Sequence, residues 1–316
     1  MKTVVITGGT DGMGKALALT YLGRGDQVVV VGTNAQKGRA ILTAAAEIGA
    51  QQRVEFIQAD LSLVAENWRV IERIRATHRT VDTLVLAARY FRATRFVTED
   101  GFEANFALFY LSRYLLGHGL ADRLDQAEAP VILNLSGPGG DLSRIRWEDL
   151  QFEESYSPDE VMGQCGKLSD LLAVAFTRRH PHSRIRYILL HPGLTSTAFT
   201  GEYDAASAAL VARMREQGQP VEAALRRILH HLDNPPTAPL SAFMQDNPVD
   251  IDGEPFDSTA ADRLADLTGK LLLQTDQAPG SSRSGGESGA GGARTHDQRI
   301  MRSNTFSAVL RCEYAP

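Results

Sequence analysis

Short runs of β-branched and aliphatic residues alternate along this chain with longer stretches in which apolar positions recur every three to four residues. The first run, "TVVIT" (Thr3–Thr7), is followed by the helix-period stretch "GKALALTYLGRG". "QVVVVG" (Gln27–Gly32) precedes "KGRAILTAAAEIGA", and "RVEFIQAD" (Arg53–Asp60) precedes the amphipathic "LVAENWRVIERIRATH". "VDTLVLAA" (Val81–Ala88) precedes the long pattern "GFEANFALFYLSRYLLGHGLADRL", read as one helix. "PVILNLSG" (Pro130–Gly137) and "IRYILLHPG" (Ile185–Gly193) bracket a helix containing "VMGQCGKLSDLL". Near-continuous apolar strands that alternate with helices predict a parallel sheet covered on both faces. Right-handed crossovers make it doubly wound, a Rossmann-type α/β fold.

Beyond Gly193 the pattern weakens. "GEYDAASAALVARMREQGQPVEAALRRILHHL" reads as two helices, expected to form a lid at about 200–235 over a substrate pocket. "SAFMQ" reads as a last edge strand, with a short helix near Thr259–Leu272. A single domain is therefore expected over 1–275. The Gly/Ser-rich "APGSSRSGGESGAGGA" opens a segment, 276–316, whose composition predicts disorder. Its final stretch, "RTHDQRIMRSNTFSAVLRCEYAP", continues no upstream pattern. It resembles the translation of a reading frame through a transfer-RNA gene on the opposite strand; an ordinary unpatterned tail is the other reading.

Bulk properties narrow the function. The 316 residues are 43% hydrophobic and 22% charged, with a net charge of −5 and a pI near 5.9. That is ordinary globular composition without a basic footprint, so no nucleic-acid partner is expected. Cys165 and Cys312 match no disulfide framework or metal spacing, so no metal is expected and a reducing, cytoplasmic setting is. No apolar run approaches the roughly 20 residues of a membrane span, and the start of the chain reaches glycine too soon for a signal-peptide core.

Candidate chemistry begins at "TGGTDGMGKA", where the first strand meets its helix. A tight strand-to-helix turn needs residues tolerant of positive φ. A diphosphate approaches a helix N-terminus only where no side chain intervenes. A glycine turn without a ligand is the plainer alternative, and the spacing differs from GxGxxG.

Thr7, Gly8, Gly12 and Gly14 match the pattern TGxxxGxG, and here the chain resembles the short-chain dehydrogenase/reductase family. "EDGFEANFALFYLSRYLL" and "IRWEDLQ" lean toward its retinol-dehydrogenase-like and protochlorophyllide-reductase-like branch. The resemblance implies dinucleotide binding by Met13 beside the glycines, by Asp60 and Leu61 near the adenine, and by Ala87 after the fourth strand. "HPGLTST" resembles the family's PG motif, which implies Pro192, Gly193 and Thr197 beside the nicotinamide amide. An NAD site wants a carboxylate at the end of the second strand. Gly32, Thr33 and Asn34 stand there, with Lys37 and Arg39 close behind, so NADP is expected, with NAD as the alternative. Asp11 is a counter-signal, and Lys37 and Arg39 also read as a solvated helix face.

The family's chemistry uses a Tyr acid/base in the pattern YxxxK, whose Lys lowers the phenol's pKa and holds the ribose. A Ser positions the substrate oxygen, and an Asn supports a proton relay. Ser136 and Lys167 correspond to two of these, and "KLSDLL" resembles "KLANLL". A serine bonded to its own turn and a surface lysine are the plainer alternatives. Counted back from Lys167 the Tyr position is Gly163, or Met162 if one residue is inserted. The relay Asn aligns with Phe109, and the family's "NAG" has become Ala87, Ala88 and Arg89. Tyr156, Tyr90 and Tyr110 are other phenols near these segments, Tyr110 expected to face away. Cys165 reads as an inert buried thiol, or as a thiolate favoured by Lys167. The sequence thus predicts an NADP-dependent oxidoreductase acting on a small-molecule carbonyl, alcohol or activated alkene with atypical acid/base groups. A non-catalytic NADP-binding sensor or scaffold is the alternative. The resemblance also implies a homodimer or homotetramer paired through helices that include Phe102–Leu116, residues that would equally serve the core.

Overall fold

The computed structural model describes residues 1–277. The chain divides into two compact units, Met1–Leu264 and Ala265–Pro316. The sheet and the cavity described below belong to the first. Of the second, the described residues are the end of a helix, Ser258–Gln277. That helix is longer than the short one expected, and the expected domain boundary at 275 falls inside it. The tail expected beyond it lies outside the described residues.

The sheet is built from β1 (Thr3–Thr7), β2 (Gln27–Gly32), β3 (Val54–Gln58), β4 (Thr83–Leu86), β6 (Val131–Leu135), β7 (Arg186–His191), β9 (Leu240–Met244) and β10 (Asn247–Pro248), with β5 (Phe91–Arg92) apart from it. Its order is β10-β9-β7-β6-β4-β1-β2-β3. Every pairing is parallel except β9 with β10. Val4–Ile6, Val28–Val31 and Ile188–Leu190 are fully buried, as a sheet covered on both faces requires. The segment expected as an edge strand is β9. It lies inside the order, because Asn247–Pro248 turns back and pairs with it.

The helices are α1 (Gly12–Gly23), α2 (Ala35–Glu47), α3 (Val64–Thr77), α4 (Ala104–Phe106), α5 (Ser112–Gly119), α6 (Ala121–Leu124), α7 (Pro158–Arg179), α8 (Ala205–Gln217), α9 (Val221–Asp233) and α10 (Ser258–Gln277). Asp11 caps α1 and Asn34 caps α2, each accepting a backbone N–H. α7 opens with Pro158 and two acids and closes with Arg178 and Arg179, matching the helix dipole. The long pattern read as one helix is divided. α4 runs into a π-helical turn at Ala107–Leu111, then α5, with a break at Leu120 before α6. Phe109 lies in that π turn. Every residue from Phe102 to Leu116 is buried within the chain, so these apolar side chains serve its own core.

Of the two expected lid helices, α9 is a core layer instead. Its apolar face sends Ile228 and Leu232 into the cluster formed by Leu17, Leu22, Val28 and Ile41. α8 buries only Val211. Among the described residues no helix is long and apolar enough to cross a membrane. A second, two-stranded parallel sheet joins β5 to β8 (Gly201–Glu202), with Phe91 stacked on Tyr203 at 5.4 Å. It ties the chain leaving β4 to the chain leaving β7.

Candidate active site

From β1 the chain builds the sheet outward through β2 and β3, then returns to place β4 on the other side of β1. Ligands of open α/β sheets bind at such a reversal, beyond the strands' carboxyl ends. A cavity of about 420 Å³ lies there, within the range of small-molecule sites.

One end of the cavity is bare backbone. Gly8, Gly12, Met13 and Gly14 line it. Gly8 has φ +68°, and a Cβ on it would lie 2.8 Å from the Ala87 carbonyl oxygen. A Cβ on Gly14 would fall on the Gly8 carbonyl oxygen. Side chains are thus excluded from the turn by its own packing, leaving the cradle at the N-terminus of α1 that a diphosphate fits. Thr7 lies behind this wall and does not line it. Its Oγ1 donates to Val85 O and accepts from the N–H groups of Ala87 (3.0 Å) and Ala88 (3.1 Å). The tie between β1 and the end of β4 therefore exists without the missing Asn.

Thr33, Asn34, Lys37, Asp60, Leu61, Ala87 and Thr197 also line the cavity. Asp60 accepts from Ser62 N and Oγ, while Arg39 is exposed and outside it. Lys37 is no free solvated lysine. Its ammonium pairs with Asp11, whose other carboxylate oxygen accepts from Gly12 N at 2.8 Å. Burial alone would raise the Asp11 carboxyl, but Lys37 and the Gly12 N–H together hold it below its usual range.

The other expected residues stand apart from the cavity. Pro192 O accepts from Gln219 Nε2 at 2.7 Å, and Gly193, at φ +94°, packs against the same amide. Of the "HPGLTST" segment only Thr197 reaches the wall. The Ser136 hydroxyl is enclosed and has no hydrogen-bond partner among the described residues. Lys167 is buried, with 5% of its side chain exposed, and its ammonium pairs with Asp170. Gly139 N donates to the same carboxylate oxygen of Asp170 at 3.0 Å, and the Lys167 side chain packs on Gly140. Burial pushes Asp170 above the usual carboxylate range, against the pull of Lys167.

Lys167 is therefore neither the expected cavity residue nor a surface lysine. Asp170, three residues on along the same helix, is within reach as its partner. At Gly163 a Cβ would lie 2.8 Å from an Arg144 guanidinium nitrogen. Met162 packs on the cluster of Phe109, Phe152, Val161 and Cys165. Cys165 is inert, because burial first and Glu103 second push its thiol upward. The Tyr156 hydroxyl accepts from Asn105 Nδ2 (2.7 Å) and donates to Arg92 O (3.1 Å). Burial, then Glu103, raises it far from useful acidity. Tyr110 is buried between Phe106 and Tyr114 and does not line the cavity.

Tyr90 is the one tyrosine on the wall among the described residues. Its hydroxyl donates to Glu202 at 3.2 Å, and partial burial followed by Glu202 raises its pKa. Arg92, paired with Glu202 at 2.6 Å, and Arg89, over the ring of Phe199, stand beside it. Phe199 carries φ +43°, an unusual value for a bulky residue and one associated with functional segments. Arg92 and Phe199 escaped the sequence reading, which met Arg89 only as a departure from "NAG". The usable signal was Arg89 itself, a long cation at the glycine position of "NAG". Ala104, Leu108 and Leu135 complete an apolar wall next to Tyr90.

A family model described as short chain dehydrogenase matches residues 2–148. Retinol dehydrogenase 13 of Mus musculus is 31% identical over 204 residues, 62% of this chain and 59% of that protein. Polyprenol dehydrogenase of Homo sapiens is 27% identical over 180 residues, 56% of this chain and 53% of that protein. The chain thus spans little more than half the length of these two curated relatives. A short-chain dehydrogenase from Sphingobium yanoikuyae, solved in complex with NADPH, superposes with a TM-score of 0.58 at 20% identity. That match covers 90% of this chain and 100% of the other, and shows a shared fold.

Proposed function

The chain belongs to the short-chain dehydrogenase/reductase family, and on that premise we propose that it is an NADP(H)-dependent oxidoreductase acting on a small carbonyl, alcohol or activated alkene. One observation carries the reading: a single cavity joins a glycine turn free of side chains to an apolar wall that bears a phenol. Gly8, Gly12 and Gly14 hold the diphosphate, Lys37 the 2′-phosphate, and Asp60 with Leu61 the adenine. When bound, NADPH supplies the hydride. Tyr90 holds the proton at its hydroxyl, in place of the tyrosine missing from α7, and Glu202 orients it. Ala104, Leu108, Leu135 and Phe199 exclude water and favour an apolar substrate. The raised pKa of Tyr90 keeps its proton on at neutral pH but makes it a poor donor, so turnover is slow.

A second reading has its own observation. Lys167 is bound to Asp170 and the Ser136 hydroxyl is enclosed, which favours a protein that binds NADP without turning over. The two part in one experiment. NADPH binding is followed by its fluorescence, then its oxidation across ketones, aldehydes and enones. Turnover that falls in Tyr90→Phe while binding persists supports the enzyme; binding without oxidation supports the second reading; absence of binding removes both. A cytoplasmic setting is part of the same proposal. Pairing into a homodimer or homotetramer would need a surface other than the buried Phe102–Leu116.

A further inference from the structure

The end of β2, where a carboxylate would select NAD, carries none; a carboxylate reaches the same wall from the glycine turn instead. Asp11 lines the cavity beside Thr33, Asn34 and Lys37. One of its oxygens accepts from Gly12 N at 2.8 Å, and the other is paired with the Lys37 ammonium. Both side chains are about two-fifths exposed, at 40% and 41%. Such a pair contributes little to folding and is easily exchanged for other partners. Lys37, the lysine lining this wall among the described residues, therefore already has an anion of the protein as its partner, while Lys15 lies near enough to act on the same carboxylate.

We propose that Asp11 is the cofactor-selectivity residue of this chain. Its carboxylate competes with a 2′-phosphate for Lys37 and offers an acceptor to a free 2′-hydroxyl, so that the site takes both NADP(H) and NAD(H). This rests on the dinucleotide reading above. A 2′-phosphate carries close to two negative charges near neutral pH. To bind Lys37 it displaces Asp11 and then lies beside a carboxylate still held by Gly12 N. A ribose with a free 2′-hydroxyl leaves the pair intact and gains a hydrogen bond.

The test uses fragments that differ only at this position, adenosine 5′-monophosphate and adenosine 2′,5′-bisphosphate, titrated calorimetrically into the full chain. The wild type prefers the bisphosphate by less than about tenfold. Asp11→Asn keeps an N-cap of equal quality, and its folding is checked by thermal denaturation. It raises bisphosphate affinity about tenfold, the scale of one like-charge repulsion in a partly exposed site, and leaves monophosphate affinity within about twofold. Lys37→Gln brings the bisphosphate down to the monophosphate's level. An Asp11→Asn variant that strengthens both fragments equally, or neither, overturns the assignment while NADPH binding by the wild type leaves the dinucleotide reading standing. Failure of the wild type to bind NADPH and both fragments overturns the two together.

Discussion

Two turns at the carboxyl ends of the strands, one lining the cavity and one apart from it, treat the family's residues in opposite ways. At the β1–α1 turn the matching glycines line the cavity, Gly8 and Gly14 held bare by backbone packing that leaves no room for a Cβ and Gly12 by its positive φ and the Thr197 side chain. At the β6–α7 end the matching residues are present but turned to other uses. Lys167 is bonded to Asp170 and the Ser136 hydroxyl is shut in. The difference teaches that a glycine's role survives as long as the turn does, because it consists of absence. A lysine's role depends on which partner its ammonium reaches, and here a carboxylate one turn along the helix has taken it.

The sharpest way to break this contrast is Lys167→Met. If the lysine serves Asp170, its loss strands a buried carboxylate and costs about 3–5 kcal/mol of stability, read from denaturant unfolding. NADPH affinity in the folded fraction stays within about threefold. Pairing the change with Asp170→Leu restores most of the stability. A large loss of NADPH affinity instead would mean that Lys167 leaves Asp170 for the cofactor, and the contrast would disappear. Next in size is Gly14→Val, whose side chain collides with the Gly8 carbonyl. It should weaken NADPH binding at least about 100-fold, or about 2.7 kcal/mol, measured by fluorescence titration. Tyr90→Phe should lower kcat about tenfold, below the usual range for a general acid, and leave NADPH binding unchanged. The smallest effect is expected from Gly163→Tyr. The new ring meets the Arg144 guanidinium, so ketone reduction should change by no more than about twofold. A clear gain would show that the catalytic helix keeps the family's geometry and lacks only the phenol.

How much could be seen beforehand follows the same division. Six strands were legible, most because each is a continuous apolar run buried on both faces, and β3, at the edge, because its apolar and polar residues alternate. Part of the cavity wall was legible, because Gly8, Gly12, Gly14, Asp60 and Thr197 fall in short motifs and all line it. The break in the long helix was not, since Phe102–Leu116 keeps a helical pattern throughout and carries no mark of where the π turn opens. The strap through β5 and β8 was also hidden: two-residue strands from segments far apart leave no periodicity. The core role of α9 was not legible, because its amphipathic face is as well suited to packing on α1 as to covering a pocket.

What the sequence determined unaided is a doubly wound parallel sheet and the bare turn at the head of α1. Those rest on local pattern and on the intolerance of a packed turn for side chains. Only the tertiary structure decided which charges meet. Asp11 finds Lys37 because the fold brings the β1–α1 turn to the start of α2; Lys167 and Asp170 lie one turn apart on α7, and there the fold decided only that the pair is buried.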